Sequence, residues 1–276
     1  MGKVYVIISG KGGAGKTTSA INLGLSINEL GKETIIVDAN LTTPNVGLHL
    51  GSPIVPITLN HVISSKAKVE EAIYEHESGV KVMPCSLSIG ELKSMNHEKL
   101  PEITKKLRKI ADIIILDSAA GLGEEAKSAM KAADEVIVIT NPEISAVTDA
   151  LKTIKLAEQM DKKVTGVIIT RHEGKKWEMD IPTIRDMLEA PILGIVPEDD
   201  SVKESQRLKA GVIYTHPNSK SAKSYRRIAR RILGPEYMRK LSRQKKEEAK
   251  NIGKNQNKAK SKGFFSNFWA KLLGKR

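Results

Sequence analysis

Seven short apolar runs punctuate the first two hundred residues: Lys3–Ile8, Glu33–Val37, Val80–Met83, Asp112–Asp117, Glu135–Thr140, Val164–Thr170 and Ile192–Val196. Within them apolar residues follow one another instead of alternating with polar ones. A strand apolar on both faces belongs inside a parallel sheet covered by helices. Helical spacing fills the intervals. Thr18–Leu30 places Ile21, Leu25, Ile27 and Leu30 on one side, and Ser145–Met160 and Asp180–Leu188 are similar segments. Regular alternation of strands and helices predicts a doubly wound, mostly parallel α/β sheet. A last core helix is expected over Ser219–Leu233, with Ala222, Tyr225, Ile228, Ala229 and Ile232 on its inner face.

Composition changes this picture in two places. Cys85 is the single cysteine of 276 residues. An internal disulfide and a multi-cysteine metal site within one chain are therefore excluded, and a thiol at the end of an apolar run reads as buried and inert. The net charge of +13 is unevenly spread. Residues 1–222 hold 27 Lys and Arg against 29 Asp and Glu, whereas residues 223–276 hold 18 against 3. The excess lies wholly in the C-terminal segment. The first strand begins almost at the N-terminus, leaving no room for a signal peptide, and no apolar run is long enough to span a bilayer. The expectation is a cytoplasmic protein.

Ligands of doubly wound sheets bind beyond the C-terminal ends of strands, and three features fall there: Asp38, Asp117 and the stretch Ser9–Thr18. From Gly10 the stretch has two glycines five apart, followed by Lys and Thr. Glycine-rich backbone (Gly10, Gly12, Gly13, Ala14, Gly15) closes N–H groups around a phosphate. The start of the following helix, at Lys16, Thr17 and Thr18, points at the anion. Lys16 is expected on the β- and γ-phosphates and the Thr17 hydroxyl on Mg²⁺. Asp117 completes the Mg²⁺ site, and Gly121 allows backbone to approach the γ-phosphate. Lys11 is a second cation inside the loop. One subunit gives it no evident work, so the reading is a contact with the phosphate of a second subunit packed face to face.

On these residues the chain resembles the deviant Walker-A ATPases of the ParA/MinD group, whose loop reads Lys-Gly-Gly-x-Gly-Lys-Thr. The likeness covers about residues 2–235 and is strongest to the MinD-like members, of an archaeal type. It is carried by Ser9–Thr18, Asp117–Gly121, Thr140–Glu143 and Ile195–Asp199. It implies a P-loop NTPase fold, ATP and Mg²⁺ as cofactors, and a homodimer with ATP sandwiched at the interface and bridged by Lys11. It implies too that Arg171, Pro197, Glu198 and Asp199 lie near the adenine, although Pro142 and Pro197 equally fit turns after strands. One departure stands out. The family's Asp-x-Asp after the second strand is Asp38-Ala39-Asn40 here. Asn40 cannot act as a base, but its amide oxygen can accept a hydrogen bond from water. Phosphoryl transfer rests more on positioning than on a strong base, so slow ATP hydrolysis is expected.

Residues 236–262 lose apolar periodicity and read as a basic, mostly disordered linker whose first half can extend a helix. The segment 263–276 carries Phe264, Phe265, Phe268, Trp269, Leu272 and Leu273 on one helical stripe. At about 20 Å it is too short to cross a bilayer and suits lying in an anionic membrane surface. The expected domains are thus an ATPase at 1–235, the linker, and a membrane-targeting helix. The expected location is peripheral, on the inner face of the cell membrane. The expected function is an ATP-switched placement of the division site through an unidentified protein activator or cargo. ParA-like DNA segregation, or placement of flagellar, chemosensory or pilus machinery, is the alternative. Nucleic acid is the less favoured partner because no aromatics interleave the basic linker.

Overall fold

The computed structural model describes residues 1–88, 90 and 96–244 of the chain. It divides into two compact units, Met1–Ile232 and Leu233–Arg276. Of the second unit, residues 233–244 are described and are helical. The greater part of the expected linker and the whole stripe from Phe264 to Leu273 lie outside the described residues.

In the first unit the apolar runs become the strands β1 (Lys3–Ile8), β2 (Thr34–Ala39), β4 (Lys81–Met83), β5 (Ile113–Ser118), β6 (Glu135–Thr140), β7 (Lys163–His172) and β8 (Ile192–Pro197). β2, β5 and β6 are buried along their whole length, as consecutive apolar positions require. The sheet order is β3-β4-β2-β5-β1-β6-β7-β8. Every pairing is parallel except the two-residue β3 (Tyr74–Glu75), which runs against β4. No pattern in the sequence announces so short a strand.

Alternate strand residues face two helical layers. Val4, Val6, Ile8, Val37, Leu116 and Val138 share one core cluster with α4 (Leu100–Leu107), α5 (Glu124–Ala132), α6 (Ile144–Gln159) and α7 (Ile181–Leu188). On the other face Gly24 of α1 (Lys16–Glu29) lies so close to Ile36 of β2 that a Cβ would stand 2.7 Å from its side chain. The helical residues 220–232 cover β8, with Ile228 against Gly194. Arg231 turns its guanidinium onto the carbonyls of Leu193 (2.8 Å) and Ile192 (3.4 Å). Short helices α2 (Val46–His49), α3 (Leu59–Ile63), α8 (Asp200–Arg207) and α9 (Val212–Thr215) occupy the connections. Cys85 is buried and donates to Asn60 Oδ1 at 2.9 Å.

The order places β1 between β5 and β6, with consecutive chain segments diverging on either side. In register, Ile7 neighbours Asp117 and Asp38 neighbours Asp117. The loop after β1 and the two carboxylates therefore meet at one point of the sheet.

Candidate nucleotide site

The loop between β1 and α1 is held by its own backbone geometry. Gly15 caps α1 with φ 88°, a left-handed conformation natural to glycine. Gly10 is fixed by a close approach. A Cβ there would lie 2.5 Å from the carbonyl oxygen and Cβ of Asp149 in α6. The loop is fastened further along, where the Ser9 hydroxyl donates to Lys11 O at 2.6 Å and the Thr170 hydroxyl donates to Ala14 O at 2.7 Å.

Lys16 and Thr17 open α1 toward Asp117. Lys16 is buried, and that burial lowers its pKa against the opposing charge of Asp117. The Thr17 hydroxyl donates to Asp117 Oδ2 at 2.6 Å. Asp117 is wholly buried. Burial raises its carboxyl to about 6, with the Thr17 hydrogen bond and the Lys16 charge pulling the other way. Its second oxygen, Oδ1, is buried without any hydrogen-bond partner. A buried carboxylate oxygen with an unmet lone pair, beside a hydroxyl oxygen, is the donor set that a hard divalent cation takes. The residues present thus fit Mg²⁺. Gly121 has φ 85° and spends its N–H on Ser9 O at 3.0 Å, joining the loop after β5 to the loop after β1.

Asp38 and Asn40 are drawn inward. Asp38 is fully buried and accepts from three backbone amides, those of Asn45 and Val46 at 2.9 Å and Asn40 at 3.3 Å. Its pKa stands well above the usual range because burial and the neighbouring Asp117 outweigh those donors. Asn40 folds over its own turn. Its amide nitrogen donates to Thr43 O at 2.6 Å, and its amide oxygen accepts from the Thr43 hydroxyl (3.1 Å) and amide (3.3 Å). Both lone pairs of that oxygen are in use within this structure. Glu125 then holds Thr42 through its amide (3.0 Å) and hydroxyl (2.8 Å).

Lys11 sits apart from this buried group. Its ammonium pairs with Glu143 at 3.1 Å and reaches the Ser145 hydroxyl at 3.4 Å. The sequence singled out Thr140–Glu143, and the structure brings its last residue to Lys11.

A cleft adjoins the loop, bordered by Gly15 and Thr18 on one side. Arg171, Pro197, Glu198 and Asp199 all line it. Arg171 takes φ 55° at the end of β7. The Asp199 carboxylate is spent on backbone, accepting from Ser201 and Ser221 at 3.0 Å each. Thr170, which precedes Arg171, lies in the same cleft, and sequence reasoning missed Val202, Gln206 and Tyr225 there. These three come from two separate segments, and only Tyr225 left a trace, as an inner-face residue. Burial pushes the Tyr225 phenol up to about 12, eased by its hydrogen bond with Ser19.

Known proteins place this architecture. Residues 2–167 match the model of the AAA domain, and residues 112–252 that of the 4Fe-4S iron sulfur cluster binding proteins, NifH/frxC family. Cys85, the chain's single cysteine, lies outside the second stretch, so the thiol ligands of a cluster are not part of what is shared. An ATP-binding protein of Methanocaldococcus jannaschii is 34% identical over 276 residues, covering 100% of this chain and 98% of its own. The septum site-determining protein MinD of Bacillus subtilis is 33% identical over 243 residues, with 85% of this chain and 90% of the relative aligned. The solved MinD of Pyrococcus horikoshii, in complex with Mg-ADP, superposes with a TM-score of 0.80 at 34% identity, covering 83% of this chain and 95% of that one. Loop, sheet order and full-length likeness agree, and the chain belongs to the ParA/MinD family of P-loop ATPases.

Proposed function

We propose that the chain is a slow ATPase that dimerises over ATP and uses that cycle to attach to and leave an anionic membrane surface, where it places the division site. Its cofactors are ATP and Mg²⁺. Lys16 holds the β- and γ-phosphates, Thr17 and Asp117 hold Mg²⁺, and the glycine loop wraps the phosphates with its N–H groups. Mg²⁺ held by Thr17 and Asp117 would supply positive charge against the phosphates. Arg171, Pro197 and Glu198 border the base, while Asp199 fixes the start of the helix beside it.

The observation that carries this reading is the contrast between the two lysines of one loop. Lys16 is buried beside Asp117, where the phosphates of its own subunit belong. Lys11 lies at the rim, its side chain 35% accessible and tied to a glutamate that is itself 64% accessible. An exposed pair of this kind costs little to exchange, so Lys11 is free to leave Glu143 for the phosphate of a second subunit. Slow turnover follows from the residues beyond β2. Asp38 is consumed by three amides and the Asn40 oxygen by Thr43, so an attacking water must displace existing hydrogen bonds to be oriented there. Two tail stripes on one dimer bind a surface far better than one, because the second attachment is intramolecular. The name of the Bacillus relative, a septum site-determining protein, supports the division site as the target.

ParA-like DNA segregation is the second reading, and one observation favours it. The exposed residues of helical segment 220–231 are Lys220, Lys223, Arg227, Arg230 and Arg231, with no acid among them. One experiment separates the two. Co-sedimentation with phosphatidylglycerol vesicles is expected with ATP and not with ADP, and to vanish on deletion of residues 263–276. Equal binding with either nucleotide removes the switch. DNA binding that survives the deletion, without lipid binding by the intact chain, selects segregation.

A further inference from the structure

Among the described residues Trp177 is the most exposed large apolar side chain after Met1 and Ile54, at 78%. It sits at the tip of the connection from β7 to α7, and that connection is stiff. The Glu178 carboxylate accepts from the backbone amides of Glu173 and Gly174 at 2.8 Å and of Lys175 at 3.2 Å. The Met179 amide donates to Pro142 O at 2.9 Å, locking the loop to the segment that carries Glu143. A structure that spends a carboxylate on three amides to hold an indole in water has left an anchor prepared. Lys175 lies 5.7 Å over one ring face, and Lys176 is exposed beside it.

The position of the ring says what it meets. Counting along the sheet from β1 to β6 to β7, the loops at the C-terminal strand ends present Lys11, then Glu143 and Ile144, then Trp177. Ile144 is 61% exposed. On the other side of β1, the loop after β5 exposes Leu122 and leads into Glu124 and Glu125. One rim therefore carries apolar side chains and both signs of charge, the self-complementary composition that a two-fold contact between identical copies needs. We infer that Trp177 is an anchor of the face on which two copies of this chain close, burying its indole only when ATP brings the rims together. The inference rests on the ATP-dimer reading above and adds the side chain that holds the dimer besides Lys11. An indole removes about 150–250 Å² from water when buried, and anchors of this kind dominate interface energetics.

The test uses the full chain. Trp269→Phe leaves Trp177 as the single indole. With Mg²⁺ and a non-hydrolysable ATP analogue its emission is expected to shift to the blue and its acrylamide quenching to fall, relative to ADP. In the wild-type background Trp177→Ala is expected to raise the dimer dissociation constant about tenfold or more by sedimentation equilibrium, with ADP affinity unchanged. Wild-type dimerisation in Trp177→Ala, or an emission indifferent to the analogue while dimers form, overturns the inference. An emission shift caused by phosphatidylglycerol vesicles in ADP, and not by the analogue, assigns the ring to lipid and overturns it as well. A wild-type chain that stays monomeric with the analogue is a different result: it removes the ATP-dimer reading, and this inference with it.

Discussion

Asn40 shows that knowing a side chain's chemistry does not give its direction. Its chemistry was plain from the sequence, since an amide is no base. Its direction was not, because the turn that captures it depends on Thr43 and on Asp38 drawing in the amides of residues 45 and 46. Asn40→Asp puts a carboxylate where the Asn40 nitrogen now donates to Thr43 O, and carboxylate and carbonyl repel. The new carboxylate is expected to turn out of the loop toward the phosphates and raise steady-state ATP turnover about tenfold or more. A phosphate-release assay decides the matter, and a slower variant refutes the account of Asn40. The pairing of Thr17 with Asp117, in contrast, was legible, because both residues occupy the ends of elements whose ends must meet.

Among the elements, the strands were the most legible because burial on both faces leaves continuous apolar runs. Their ends moved by at most two residues. α4 and α5 were not singled out in the sequence: each is short and mixes charge into its pattern, and each is fixed by contact with the other. The phosphate loop was recognised from its spacing, but Gly10 is glycine for an additional reason. Its missing Cβ makes room for Asp149 of α6, far away in sequence. Gly10→Ala is thus expected to push the loop off α6, weakening ATP binding more than tenfold and costing about 1–3 kcal/mol of stability. Fluorescent-nucleotide titration and urea unfolding measure the two effects. The cleft beside the loop was legible only where a motif runs locally, at Arg171 and 197–199. Gln206 and Tyr225 arrive there through the packing of separate segments, which local patterns do not encode.

At the scale of the molecule, the opposite end of the sheet is fastened by charge. Glu135 opens β6 and accepts from Lys3 (2.9 Å), Lys163 (2.8 Å) and the Thr165 hydroxyl (2.7 Å), joining β1, β6 and β7. Burial opposes its ionisation, yet the bonds from Lys163, Lys3 and Thr165 prevail and hold its carboxyl down to about 2. A depressed carboxyl stabilises the fold above its unfolded pKa of about 4.5, and that stabilisation is lost as pH falls toward 2. Glu135→Gln is expected to cost about 1–2 kcal/mol at pH 7, a modest figure because both ammonium groups reach water. The urea midpoint of the variant should change less between pH 7 and pH 3 than that of the wild type. An identical acid dependence would show that other carboxylates govern it. Placing this cluster away from the strand ends that bear the nucleotide keeps the stability of the frame independent of what happens at the loop.

The two margins of the sheet have a consequence of their own. At one, a two-residue strand runs backward and offers an incoming chain almost nothing to pair with. At the other, Arg231 already occupies the carbonyls of Ile192 and Leu193, and Pro197 ends the strand without an N–H. Sideways growth, the usual hazard of an eight-stranded sheet, is thereby closed. Copies of a chain with open margins would otherwise risk zipping irreversibly into ribbons. With its margins occupied, the chain leaves the loop-bearing end of the sheet for the ATP-dependent dimer proposed above. On that reading, association rises and falls with the nucleotide and leaves no aggregate behind.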